Sequence, residues 1–369
     1  MRNVPRILIL TLVATLLAGC GDKRILEDLG FTQTTSYDLL PTGELDITLS
    51  IPLADPEAKS KRMILRTTSV SSKESRIKMA MQTHLNLVSG QLRNSIFGLT
   101  LSKEGIWNHI DTLIRDPSIS PQVKVTVING NAGELLRKDY KQQPRTGKYI
   151  DKMLQKEAEG QNVPKVTLYH FARDYYDDGI DPIAPVLKDI GDHIAIDGIG
   201  LFRDDRYMTK IEPKDALIFA FLRGRFKQGE LSVDLSRETH SDKQMAMLSG
   251  LMSTRKVKVN LGRNGQTTVT FAIRITGSIL EYIGPYNLSD HSDKKKLENQ
   301  IASHIIDKSE VMVRMMQKHK VDSLGIGTHV RNRMSYKAWK SMNWNDDVYP
   351  KVRVLFDVSV KIKDYGKFR

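Results

Sequence analysis

Apolar residues recur along this chain with two periods. Glu44 to Leu53, "ELDITLSIPL", alternates apolar and polar positions and predicts a strand, as do "NSIFGLTLS" (Asn94 to Ser102) and "VKVTVING" (Val123 to Gly130). Between them the period lengthens. Ser71-Ser72-Lys73-Glu74 forms a capping box, after which Ile77, Met81, Leu85 and Val88 fall on one helical stripe expected to face the core. Ser102 is placed to cap a second helix with Ile106, Ile110, Leu113 and Ile114 inside, ending before Pro117, and a short helix follows through Glu134 to Lys138.

Lys141 to Pro164 is polar, with helical character only around Ile150 to Glu157, and reads as a mobile insertion. Order resumes from Lys165 to Tyr176. Asp177 to Asp189, "DDGIDPIAPVLKD", carries Gly179, Pro182 and Pro185 and predicts a long loop between units. "HIAIDGIGLF" and "RYMTKI" flank Arg203-Asp204-Asp205 as a hairpin. Pro213 opens a helix through Ala216 to Arg223 that Gly224 stops.

"RKVKVNL" and "TTVTFAIRITGSIL" flank Gly262-Arg263-Asn264-Gly265, a second hairpin signal, because Asn-Gly tolerates the positive φ such turns need. Asp293 to His319 is the strongest helix, with Leu297, Ile301, Ile305, Met312 and Met315 on its stripe and Met316 displaced from it. Trp339 and Trp344 follow in a short helix and loop and are expected to pin it to the sheet, the alternative being a place at a membrane or subunit interface. "KVRVLFDVSVKIKDYG" closes as a strand. The expected fold class is α+β, multi-domain, with mixed and antiparallel sheets and the long helix laid on an antiparallel sheet in the last unit. The expected divisions are 1–19 as a leader, 20–188 as an N-terminal domain, 189–251 as a small middle domain and 252–369 as a C-terminal domain.

The leader changes what the single cysteine means. Arg2 and Arg6 precede an apolar run, Ile7 to Gly19, of 13 residues, too short for a spanning helix of ~20. It ends in Leu17-Ala18-Gly19-Cys20, the arrangement of a bacterial lipobox. There the cysteine sulfur is alkylated by a diacylglyceryl group and the leader is removed, leaving Cys20 as the new N-terminus. Two acyl chains, at ~0.8 kcal/mol per buried methylene, hold a protein on a bilayer durably. With one cysteine in 369 residues, no internal disulfide forms, and stability falls to the core. The charge is +13; the leader holds Arg2 and Arg6 and no acid, so +11 remains after its removal. For a tethered, exported chain the first anionic neighbour is the lipid headgroup. No arginine-rich or aromatic-interleaved basic tract points to nucleic acid.

Patterns for chemistry are sparse. His291 with Asp293, and His304 with Asp307, have ligand-like spacing, but no His-x-x-x-His pair or cysteine cluster supports a metal, and they read as surface or capping residues. The glycines of "DGIG" (Asp197 to Gly200) and "GIG" (Gly325 to Gly327) do not extend to a phosphate-binding fingerprint and predict tight turns or close backbone approach. Asp177, Asp178 and Asp181 form an acidic cluster expected in a solvated loop, without the glutamate of a calcium loop. There is no Gly-x-Ser-x-Gly elbow. No catalytic residue, metal ligand or cofactor site is assigned; the one site residue is Cys20, for lipidation.

These pieces together resemble the Ger(x)C family, the C subunit of spore nutrient germinant receptors. The resemblance runs from the Cys20 lipobox through "TTSVSSKESRIKMAMQT", "DDGIDPIAPVLKD" and "IAIDGIGLFRDDRYMTKIEPKDALIFAFLRG". It is most specific in "MQKHKVDSLGIGTHVRNRMSYKAWKSMNWNDDVYP", where Asp322, Gly325, Gly327, Trp339 and Trp344 match in order and spacing. Gly21 departs from a frequent tryptophan, and Lys141 to Pro164 shows no match. The resemblance implies three α+β domains and a non-enzymatic subunit without cofactor. It further implies lipid anchoring through Cys20 on the outer face of the spore inner membrane, with integral membrane A and B subunits as partners. An alternative from the residues themselves is an extracytoplasmic lipoprotein that presents a small solute to a membrane partner, using a cleft near "DGIDPIAP".

Overall fold

The computed structural model describes residues 25–364 except 54–59, 142, 144, 225, 227–228, 237–243 and 263–265. The leader, Cys20 and the tip of the 262–265 turn lie outside the described residues.

Two sheets organise the chain. The first holds β2 (Thr34–Leu39), β3 (Leu45–Pro52), β4 (Arg62–Ser69), β6 (Asn94–Gly98), β7 (Lys124–Ile128), β8 (Ile183–Asp189), β9 (Ile194–Arg203) and β10 (Arg206–Ile211), in the order β10-β9-β8-β7-β6-β2-β3-β4. Its centre, β2-β6-β7-β8, is parallel, and antiparallel strands finish both sides. A small parallel pair, β1 (Leu29–Phe31) with β5 (Asn86–Val88), lies beside it. Parallel neighbours require crossovers, and helices supply them on both faces. One face packs α1 (Ser72–Ala80), α2 (Leu99–Glu104), α3 (Trp107–Ile114) and α6 (Leu168–Tyr176) through Met79, Leu101, Ile110 and Phe171. The other packs α4 (Ala132–Arg137) and α5 (Thr146–Glu159) through Leu135, Leu136, Ile150 and Leu154.

Four sequence expectations in this half are corrected. The segment from Ile183 is a strand, not a loop: β8 lies between β7 and β9 with Ile183, Ala184, Val186 and Leu187 buried. Pro185 is tolerated because pairing to β7 begins only at Val186 and Leu187. The expected insertion contains α5, whose Ile150 and Leu154, one turn apart, enter the second core. Strand β6 ends at Gly98 and the chain becomes helical at Leu99, so Ser102 is buried inside α2 rather than capping. Finally, α1 is capped by Ser71 as expected but ends at Ala80 and turns Ser75 and Met79 inward. The Ser75 hydroxyl bonds Ser71 O and Ser69 Oγ, a polar inner contact that apolar spacing does not reveal, and Ile77 and Met81 are left exposed.

The expected division at 188/189 falls inside β8, before its last residue, and β8 is hydrogen-bonded to β9 from Ile183↔Leu201 to Asp189↔Ile194. Residues 189–251 are shared between the sheets: β9 and β10 extend the first, while β11 (Leu231–Asp234) and the start of β12 (Met245–Leu261) belong to the second. That second sheet runs β11-β12-β13-β14, with β13 Thr267–Ile283 and β14 Arg353–Asp364. It is antiparallel through three strands. The fourth, β14, joins parallel to β13, so the sheet is mixed rather than purely antiparallel. The reason is the connection: α8 (His291–His319) crosses over the sheet and returns the chain to the end where β13 began.

The Asp290 side chain caps α8, which buries Leu297, Ile301, Ile305, Met312 and Met316. Met316, expected off the stripe, is fully buried, while Met315 is partly exposed. Glu298 locks the helix to the sheet by accepting the Ile362 amide at 2.9 Å. α7 (Ala216–Arg223) packs in the main core against α8, β12 and β13. After α8 come α9 (Ile326–Arg331), α10 (Tyr336–Lys340) and a π-helical turn, Trp344–Val348. Removing the Ile301 side chain opens a cavity under α8, so Ile301→Ala is expected to lower unfolding free energy by about 2–5 kcal/mol in urea denaturation.

Candidate functional site

The residues that set this chain apart converge where the lead-in to β8 meets the turn after α8. Asp181 and Asp322 exchange bonds: Asp181 N donates to Asp322 O at 3.0 Å, and Asp322 N donates to Asp181 Oδ2 at 2.6 Å. Both aspartates are buried. The remaining lone pairs of Asp322 are taken by Ile326 N at 2.8 Å, Gly327 N at 2.6 Å and Trp344 Nε1 at 3.0 Å. Asp181 also accepts from Asp204 N at 3.3 Å, on the β9–β10 turn, and from Asn345 Nδ2 at 3.3 Å.

Burial is the largest influence on both carboxyls and outweighs the N–H donors that favour the charged form. Asp181 is pushed up to about 6. Asp322, with Asp181 nearby adding a smaller push in the same direction, reaches about 7.

Close packing holds the same point. Gly179 has φ +92°, its carbonyl accepts Thr328 N at 3.0 Å, and a Cβ on it would stand 2.6 Å from the carbonyl carbon of Gly327. A Cβ on Gly327 would in turn meet Trp344 Nε1 at 2.6 Å. Two glycines are needed for the backbones to touch. Trp339, Trp344 and Tyr349 pack behind, with ring centroids 5.4 and 5.9 Å apart.

Ion pairs ring the buried pair. Arg203 grips Asp346 through both oxygens at 2.9 and 2.7 Å, and Lys320 adds a third bond at 2.9 Å. Arg203 first, then Lys320, holds the Asp346 carboxyl far below the usual carboxylate range. Arg331 pairs with Asp177 and Lys340 with Asp178, each at 2.7 Å. A cavity of about 320 Å³ opens here, lined among others by Asp178, Asp181, Arg203, Asn343 and Asn345.

The structure thus gathers Asp177, Asp178, Asp181, Asp322, Gly327 and Trp344, all noted in the sequence but far apart in it. The acidic cluster is not a solvated loop: Asp181 is buried and its neighbours are ion-paired. The glycines act by close approach, as expected; Gly198 at φ +128° likewise lies against the Ile211 carbonyl. Arg203, Lys320, Asn345 and Asp346 were not singled out; the signal available was the basic residue before the hairpin turn and the Asn-Asp run after Trp344. His291 and Asp293 lie in the first turn of α8, where Asp293 accepts the Asn287 amide and pairs with Lys296, and His304 and Asp307 lie further along the same helix. Among the described residues no group of three His, Cys, Asp or Glu side chains gathers to hold a metal ion.

Two family models cover most of the chain: "Spore germination protein N-terminal domain" matches residues 22–189, and "Spore germination B3/GerAC like, C-terminal" matches residues 197–366. The chain is 24% identical over 367 residues to spore germination protein GerQC of Bacillus cereus, covering 98% of this chain and 99% of that one. In fold it is similar to the crystal structure of the GerBC protein, with a TM-score of 0.60 and 14% identity over 92% of this chain and 100% of that one.

An amide at position 322 cannot accept three N–H donors on two oxygens and turns its own N–H₂ against one of them. Asp322→Asn is therefore expected to destabilise by about 1–3 kcal/mol in urea denaturation. The pH dependence has a definite sign. Carboxyls raised to about 6 and about 7 bind protons more tightly when folded. Their contribution is fully present below the unfolded value near 4 and is lost as pH rises through the folded values. Asp181→Asn removes part of that slope, so the stability of the natural protein relative to this variant should fall between about pH 4 and pH 6. A flat difference across that window would contradict the assignment.

Proposed function

The chain belongs to the Ger(x)C family of spore germination proteins, and from that premise we propose that it is the lipid-anchored C subunit of a nutrient germinant receptor. The observation that carries this reading is a match to both halves of the family along nearly the whole chain, preceded by Leu17-Ala18-Gly19-Cys20 directly after an export leader. In this reading the Cys20 sulfur bears a diacylglyceryl group, and the protein is held on the outer face of the spore inner membrane. It supports assembly of integral membrane A and B subunits and their response to nutrients, and it catalyses no reaction. No described helix is long and apolar enough to cross a membrane.

The seam supports a structural role. Asp181, Arg203 and Asp322 all hold protein partners, which suits a joint better than a reaction centre. The cavity of about 320 Å³ beside "DGID" favours a second reading, a lipoprotein that binds a small solute there and presents it to a membrane partner. Saturable calorimetric binding of an amino acid, sugar or nucleoside by this protein alone would support that second reading.

Cys20→Ala is expected to remove the protein from the spore membrane fraction and to weaken nutrient-triggered germination. Full membrane retention with undiminished germination would overturn the anchor.

A further inference from the structure

Two residues of the stripe that sequence spacing assigns to α1, Ile77 and Met81, are turned outward. Ile77 is 65% exposed and Met81 76%, one helical turn apart at the end of α1, and Val70 just before that helix is 80% exposed. Ile25 and Leu26, the first described residues, are 63% and 65% exposed. Large apolar side chains left in water as a group mark an interaction surface.

The strand pairing sets both chain segments at one end of the β1–β5 pair. Strands β1 and β5 are parallel, with Leu29 opposite Asn86 at the start of both. Leu26 lies three residues before Leu29 and Met81 five before Asn86, so both segments approach from the same end of the pair. Helix α1 is fixed to this corner by Arg76 Nη2, which donates to Leu87 O at 3.0 Å.

Charge does not define the surface. Lys73 and Arg76 pair with Asp116 and Lys78 with Glu74, while Glu27 and Asp28 balance Lys23 and Arg24 of the tether. What distinguishes the corner is apolar area, together with its distance from residue 20. Residues 20–24 span at most about 3.5 Å each, roughly 17 Å in all, so an acyl group on Cys20 keeps this corner within reach of the bilayer interface. Amphipathic helices lie in that interface with their apolar faces ~5–10 Å into the headgroup boundary.

We propose that Val70, Ile77 and Met81 of the α1 region, with Ile25 and Leu26, form a lipid-contacting surface that seats the first sheet on the bilayer and fixes the orientation of the protein above it. The occupant is the lipid surface itself. This rests on acylation of Cys20, and it adds that the tethered body lies down on one face instead of swinging on its tether.

Two acyl chains already hold the protein, so the test reads orientation and not binding. The acylated full-length chain has no free thiol, since its one cysteine carries the lipid. Ile77→Cys and Met81→Cys therefore accept a nitroxide label selectively, as does Asn260→Cys on the second sheet for comparison. In vesicles of phosphatidylethanolamine and phosphatidylglycerol, labels at 77 and 81 should collide with oxygen several-fold more, relative to a water-soluble nickel chelate, than the label at 260. Because both side chains are exposed, the substitutions leave the fold intact.

Labels at 77 and 81 that meet the nickel chelate as freely as the label at 260 overturn the proposal. So do labels shielded from both reagents, which would place a protein on this corner. Detergent phase partition of the same chain reports on the anchor separately. Partition into water overturns the acylation and this surface together, whereas partition into detergent with water-facing labels overturns this surface alone.

Discussion

The two halves of the molecule are held in one arrangement by a reciprocal bond between Asp181 and Asp322, residues 141 positions apart that trade backbone and side-chain contacts. Each carboxyl is out of water, and burying such a group is costly unless its lone pairs are filled. Here they are filled by amides from both halves and by the Trp344 indole. The arrangement is consequently stringent: separating the halves by even one ångström would leave a buried acid short of donors.

That stringency extends to the backbone. Gly179 and Gly327 approach so closely that a methyl group on either would collide with the other. The outer ring of Arg203–Asp346–Lys320, Arg331–Asp177 and Lys340–Asp178 is more exposed and contributes less per pair, yet it shields the buried acids from solvent. A further tie crosses beside it, Arg223 of α7 to Asp174 of α6 at 2.7 Å, and within the first half Asp205 accepts the Trp107 amide at 2.9 Å. The β9–β10 turn therefore contacts the helical face of the first sheet and, through Asp204, the seam itself.

Much of this was legible in the sequence, and the failures have physical causes. Long alternating runs reveal β13, β14 and the second half of β12, and a sustained 3.6-residue period reveals α8, because those elements bury one continuous face; the start of β12, from Met245, goes unread. β8 was hidden because a strand buried on both faces does not alternate, and Pro185 made it look like a loop. α1 was misoriented because its inner face is set by a serine hydrogen-bond chain, not by its apolar residues. For the seam, Asp322, Gly327, Trp344 and the "DDGID" run each stood out, but nothing local announces a contact across 141 residues. Arg203 reads only as part of a hairpin turn, and Asp346 carries no signal of its own, until the fold brings them together.

A joint this rigid has a consequence for a chain tethered at residue 20, as proposed. The described chain begins just before β1, in the small β1–β5 pair beside the first sheet, while α8 and the long β12–β13 hairpin belong to the second. A partner touching the second sheet is then held at a defined position relative to the lipid only if the seam does not flex. Buried, fully donated carboxyls serve that end better than apolar packing alone, since apolar surfaces tolerate sliding whereas three N–H groups aimed at two oxygens admit one register. The cost of two buried acids is thus offset by a fixed geometry, and this accounts for costly groups standing at a joint where leucines would give comparable burial.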